Sequence, residues 1–426
     1  MSSLPDPATN GHPGLPAKLK DLHLIVWGLL SVGFILPFCI VVIANLQPPD
    51  ADFAEFYSLG RILNEYSPHD LYNYDLQKKI CEQVHPRKGE YGPLPYPPFV
   101  GLLFRPATFL PYWAAYALWV AICLVLYWAG LRLAIKRFFP QEPPSTHSLL
   151  YALALSYFPF IAYTAGNGQL AAIGFFAIAL ALHEEHHDHA FRSGAALCLC
   201  LYKPTILLLI VPMLLLTRRF RAFAGFVCGG LLLVLVTTVF EGFAVWQEFV
   251  RAILSFGNSS VGVKNHSILP LAKYVDLTSF SSNIHGGRSG PGIALFAGAS
   301  LVALIALIGF WWRSRGRGPM YQALLWAATL TWTLLLNVYV PLYDSILVVL
   351  SVLITAGLHG HIPGESTQRC FTVAWILILI CSWFSVPLSR STGIQCMTLL
   401  FACLGTLQFV MLGQLTTEVP AQSSRA

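Results

Sequence analysis

The chain has 426 residues, of which 56% are hydrophobic and 11% charged, with a formal net charge of +6. A soluble globular chain carries about twice that charged fraction, so no long segment reads as a soluble domain. The expected fold class is all-α: a polytopic transmembrane helical bundle surrounded by a lipid bilayer. The positive balance does not point to nucleic acid, because no zinc knuckle, basic helix or aromatic-basic platform accompanies it.

Residues 1–23 form a polar tail without the basic n-region and small-residue cleavage site of a signal peptide. Residues 24–46 are the first apolar block of spanning length and read as a retained helix. Further apolar blocks fall at 113–135, 149–165, 170–183, 223–240, 292–312, 322–336, 339–356, 371–387 and 394–412. The stretch 193–216 divides at Lys203-Pro204 and reads as two short or broken helices. About twelve helices result, at roughly 20 residues per crossing, in one domain over 24–413 with a cytosolic tail at 414–426.

Twelve crossings put Lys18 and Lys20, Arg132 to Arg137, Arg192, Arg218 to Arg221, Arg313 to Arg317 and Arg369 on one side. Cationic loops mark the cytoplasm, so both termini are expected there. Two long loops, 47–96 and 241–291, then face outward. In the first, Phe53, Phe56, Tyr57, Ile62 and Leu63 recur at helical spacing. This predicts one or two amphipathic helices lying on the outer membrane surface. The proline-rich stretch after it leaves the apolar piece 99–104, too short to span and expected to be shallow or re-entrant. The inward loops are short and carry no P-loop, dinucleotide fingerprint or kinase signature. Of the ten cysteines, Cys81 alone sits in an outward loop, so an intrachain disulfide on the outer face is not expected.

Six polar constellations stand out. Asp50 and Asp52 follow the first helix, where a carboxylate is either a general base or a solvated loop acid. Lys203, between two apolar halves, is either a phosphate ligand or a snorkelling anchor. Asn167 and Gln169, in a Gly-Asn-Gly-Gln turn, either bond sugar hydroxyls or shape a tight turn. Lys264, Asn265, His266 and Ser267 sit in the second outward loop, where a histidine is an acid, a base, a hydroxyl ligand or simply solvated. Tyr339, Tyr343 and Asp344 open an apolar helix, where Asp344 reads first as an N-terminal cap. The run His183 to His189 formally matches the zinc pattern H-E-x-x-H through His183, Glu184 and His187. It has no evident third ligand and reads as a solvated loop, so no metal site is assigned.

Asp52-Phe53 with Tyr57, then Tyr96-Pro97-Pro98 and Pro106, then Gly168-Gln169, Lys203-Pro204 and Asn265-x-Ser267 form an ordered set. It resembles glycosyltransferase family 87, membrane enzymes of the GT-C superfamily typified by polyprenyl-phosphate-mannose-dependent mannosyltransferases. His266 stands where the family pattern would carry Gln, and the segment 337–344 lacks the histidines of several mannosyltransferases. The resemblance implies a hexose, expected to be mannose, taken from a polyprenyl-phosphate carrier on the outer face and given with inversion to a hydroxyl of a glycan or glycolipid acceptor. It implies Asp52 as the base. Lys203, Gln169, Asn167, Asn265, His266, Lys264, Tyr57, Tyr96, Arg105 and Tyr343 are then the expected donor-phosphate or sugar-binding residues. No cofactor is implied, since the lipid-linked sugar is a substrate. The implied location is a bacterial inner membrane with a periplasmic active site. The rival reading is a transporter or flippase of lipid-linked sugar, which needs the same cavity and cations but no base.

Overall fold

The computed structural model describes residues 52–85, 95–256, 271–284, 290–338, 340–361 and 364–417. The expected first span at 24–46, Asp50, Lys264, Asn265, His266 and Tyr339 lie outside the described residues. Every regular element described is helical, and an isolated antiparallel bridge joins Tyr274 to Pro341.

Three short helices, α1 (Phe53–Glu65), α2 (Tyr74–Val84) and α3 (Pro98–Phe104), precede the long α4 (Tyr112–Phe138). Next come α5 (Pro144–Leu155), a π-helical turn (Pro159–Ala165), α6 (Ala171–His186), α7 (Ala190–Leu197), α8 (Ile210–Leu216), α9 (Phe220–Glu241) and α10 (Ala244–Phe256). The chain ends with α11 (Leu277–Ile284), α12 (Gly290–Arg313), α13 (Pro319–Leu335), α14 (Leu347–Leu358), α15 (Glu365–Thr392) and α16 (Cys396–Thr417).

Among the described residues, six helices are long and apolar enough to cross a membrane: α4, α9, the Phe296–Arg313 part of α12, α14 with its flanking turns (Leu342–His361), α15 and α16. The expected span at 149–165 is broken instead. α5 and the Pro159–Ala165 turn meet at 59° and make a seventh crossing if taken as one. Pro159 starts the second piece, where it has no N–H to continue the α5 ladder. The expected break at Lys203-Pro204 is present: the chain passes from a 3-10 turn (Cys198–Tyr202) through extended backbone at Lys203 to another turn (Pro204–Leu207).

Leu231, Leu235 and Val239 on α9, Val302 and Ile305 on α12, and Phe384 on α15 are exposed. An outer belt of this kind suits hydrocarbon and is out of place in water. The polar pairing lies inside. On α13, Thr331 Oγ1 meets Ser351 Oγ of α14 at 2.7 Å, and Gln408 Nε2 of α16 donates to Ser351 Oγ at 2.8 Å and to Thr355 Oγ1 at 3.0 Å. Most residues of α13 are buried, and α6 is buried along Ala171 to Leu182 apart from three partly exposed positions, so both helices are apolar where protein surrounds them.

The segment expected to lie on the outer membrane surface departs from that expectation. α1 does not offer its apolar face to lipid. Phe53, Phe56, Ile62 and Leu63 are each at most 3% exposed, packed beneath α3 and the start of α4. Gly60 allows the approach, since a Cβ there would stand 2.6 Å from the carbonyl oxygen of Phe104. Amphipathicity called for a cover on that face, and the chain supplies the cover itself.

Small residues also set the contact between α7 and α9. A Cβ on Gly194 would run into the carbonyl oxygen of Ala222, and one on Gly225 into that of Phe191. Such contact lets two backbones touch where apolar attraction between helices is weak. Gly194→Val and Gly225→Val are each expected to destabilise the bundle by about 1–3 kcal/mol or more, read as a lowered unfolding midpoint in detergent, whereas Gly298→Val on α12, where a Cβ meets nothing within 4 Å, should leave it unchanged.

Candidate functional site

Asp52 precedes α1 at the N-cap position, yet its side chain makes no capping bond. Instead its Oδ2 accepts from Gln169 Nε2 at 2.6 Å, across 117 residues. The backbone supports that contact, for Phe53 N–H donates to Asn167 O at 2.9 Å. The turn is held from the other side by α4. Tyr116 donates its hydroxyl to Gly166 O, Trp119 Nε1 donates to Gly168 O at 2.8 Å, and Cys123 donates to Gln169 O at 3.7 Å. Gly168 has φ +73°, and a Cβ there would lie 2.7 Å from Phe53 Cβ. The turn therefore needs its glycine for geometry, and the same geometry presents Gln169 to Asp52.

Lys203 does not reach outward. Its ammonium pairs with Asp344 Oδ2 and lies 4.8 Å from the centre of the Tyr343 ring. Asp344 is not a cap: Ile346 holds the N-cap position of α14, and Asp344 sits in the 3-10 turn before it, 2% exposed. A buried cation takes the nearest anion in preference to the helix end. The break at Pro204 is closed by Asn337, whose Nδ2 donates to Thr205 O at 2.8 Å. Ser345 meets Tyr157 hydroxyl to hydroxyl at 2.9 Å. Asp276 fixes the facing loop, accepting from Ser279 N–H and Val340 N–H at 2.8 Å each.

Tyr96 links the Asp52 and Lys203–Asp344 groups electrostatically, for its phenol feels Asp344, Glu55 and Asp52 together and lies beside Tyr343. Burial raises the Tyr96 phenol first and those carboxylates raise it further, so it keeps its proton at neutral pH. Tyr343 likewise lies in reach of Tyr96, Asp344, Asp52 and Tyr274. The result is a polar cluster in which the Asp52 carboxylate, the Lys203–Asp344 pair and the Tyr96 and Tyr343 phenols influence one another.

Other expected residues are engaged elsewhere. Tyr57 donates to Leu110 O at 2.8 Å, with its ring packed against Phe53 and Tyr112. Arg105 pairs with Glu241 at 2.7 Å and donates to Asn64 Oδ1 at 2.7 Å, tying α3 to the end of α9. In the histidine run, His187 Nδ1 lies 2.9 Å from His183 O and His189 Nδ1 lies 3.0 Å from Glu184 Oε2. Among the described residues no three His, Cys, Asp or Glu side chains are grouped to hold a metal ion. A second charged cluster joins α6, α9 and α13 through Arg219 with Glu185 at 2.6 Å and Trp326 Nε1 with Glu185 Oε2 at 2.8 Å. Asp344 is the residue that sequence reasoning assigned to the wrong task. The available signal was that an ionisable side chain in an apolar bundle pairs with another, and Lys203 is the cation that the sequence sets between two apolar halves.

A family model, "Glycosyltransferase family 87", matches residues 94–338. No curated protein and no solved structure matches the chain. The family match takes in Tyr96, Gln169 and Lys203 and leaves Asp52 and Asp344 outside it.

Breaking the buried pair from one side leaves a charge uncompensated, at a cost of about 3–5 kcal/mol. Asp344→Ala is therefore expected to lower the unfolding midpoint sharply. Replacing both partners, as Lys203→Met with Asp344→Leu, should recover most of that loss. Equal midpoints for the single and double variants would mean that the pair contributes no coupling.

Proposed function

The chain belongs to glycosyltransferase family 87, and on that ground we propose that it transfers a hexose, mannose in the simplest reading, from a polyprenyl-phosphate carrier to a hydroxyl of a glycan or glycolipid. The proposal extends to the arrangement in the membrane: twelve crossings, both termini in the cytosol, and the Asp52–Lys203 cluster facing the outer side of a cell membrane. The observation that carries it is Asp52 held at 2.6 Å by Gln169, in the same cluster as the Lys203 ammonium. That pairing of an anchored carboxylate with a cation is what inverting transfer from a phosphate requires.

In this reading Asp52 takes the proton of the acceptor hydroxyl as its oxygen attacks the anomeric carbon. The bond from that carbon to the phosphate oxygen breaks with its electron pair, and polyprenyl phosphate leaves with the added negative charge. Lys203 sits where it can stabilise that charge, which is worth most in a site shielded from water. Tyr96 and Tyr343 are protonated donors and ring surfaces for the sugar. Gln169 keeps the base aimed. No resident cofactor is needed for these steps.

Asp52→Asn preserves shape and keeps an acceptor for Gln169 but removes the base. Transfer of label from polyprenyl-phosphate-mannose to an acceptor, by purified protein in lipid, is expected to fall by about 10²–10⁴, with donor binding retained. Wild-type turnover in a folded Asp52→Asn protein would remove Asp52 from this role. Movement of labelled lipid across vesicles without any new glycosidic bond would replace the transferase reading by transport.

A further inference from the structure

Two buried acceptor atoms of the polar cluster have no hydrogen-bond partner among the described residues: Asp344 Oδ1 and Gln169 Oε1. Both residues are otherwise firmly placed. Asp344 spends its other oxygen on Lys203, and Gln169 spends its amide N–H on Asp52. Asp344 is 2% and Gln169 5% exposed. A buried acceptor left unmatched is costly, so each calls for a donor when the site is in use. The 342–346 turn, which carries Asp344, packs against the Pro159–Ala165 turn and α6, the two elements that flank Gln169.

We propose that Asp344 is a specificity residue of the transfer site, and that its Oδ1, together with Gln169 Oε1, accepts hydrogen bonds from sugar hydroxyls. This rests on the glycosyltransferase reading above and adds to it the part of the ligand that Asp344 reads. The chemistry selects the class of group. An ionised phosphate brings no donor and is repelled by a carboxylate, and an isoprenoid chain has no polar atom at all. A sugar hydroxyl is the component of either substrate that can donate. Labour in the site is then divided: Lys203 attends to the phosphate, while Asp344 and Gln169 attend to the hydroxyls. The Asp344 carboxylate serves both ends, since Oδ2 orients the cation and Oδ1 meets the sugar. Tyr343, beside the cation, adds an aromatic face at the same place.

The test compares polyprenyl-phosphate-hexose with bare polyprenyl phosphate, using the full chain in lipid nanodiscs. Asp344→Asn keeps an oxygen for Lys203 and puts an amide where Oδ1 was. It is expected to weaken binding of the sugar-bearing lipid by about tenfold or more relative to bare polyprenyl phosphate, the loss of one good hydrogen bond to a charged group. Unchanged donor binding with a raised acceptor KM would assign the hydroxyl to the acceptor and uphold the proposal. Equal weakening of both lipids would overturn it, since Asp344 would then act through Lys203 or the fold alone. A second measurement needs no variant. Wild-type enzyme offered mono-deoxy hexosyl donors and mono-deoxy acceptors is expected to lose at least about 10²-fold in kcat/KM for one of them, because a site built for a hydroxyl strongly rejects its absence. Uniform turnover of every mono-deoxy substrate would overturn the proposal with the glycosyltransferase reading intact, whereas no turnover of any donor by the wild type would count against that reading instead.

Discussion

A charge held inside an apolar bundle must be answered within the bundle, and the pairing of Lys203 with Asp344 is where this chain meets that requirement. The two residues are 141 positions apart. Bringing them together fixes the broken stretch between α7 and α8 against the turn that opens α14. The break exists because Pro204 cannot continue the ladder, and it survives at this depth because Asn337 satisfies Thr205 O. Irregular backbone, ion pair and phenols therefore occur at one place. That place is also where Asp52 arrives, carried by α1 and steadied by the Gly166–Gln169 turn.

The rest of the architecture keeps this cluster away from lipid. α6 and α13 are the more enclosed helices, and α9, α12 and α15 give apolar residues to the outer belt. α1, which follows Asp52, packs against α2 and α3. Burial of Asp344 and Gln169 strengthens the electrostatic contacts they make. Arg105 fastens α3 to α9 through Glu241.

Local features of the sequence announced much of this. A lysine followed by proline in an apolar run marked the break at Lys203, and the spacing of Phe53, Phe56, Ile62 and Leu63 marked α1. Periodicity does not say what lies against an apolar face, so α1 was expected on lipid when its cover is α3 and α4. Pairings across long separations left no local trace. Asp344 looked like a helix cap because an acid before an apolar helix usually is one, and its partner lay far away in the chain. Gln169 could be read as a turn residue or a ligand, and the fold makes it the residue that holds Asp52. The span at 149–165 looked continuous because length and hydropathy register apolarity and not the bend that follows Ser156.

The central claim is that Asp52 and the Lys203–Asp344 pair form a single transfer site. The measurement that bears on it most directly is a structure of the protein with polyprenyl phosphate bound. The account places the phosphate within about 3 Å of Lys203 Nζ, the range of a charge-assisted hydrogen bond, with its free oxygens on the side of Asp52. A phosphate bound instead at Arg219, in the cluster around Glu185, would contradict it.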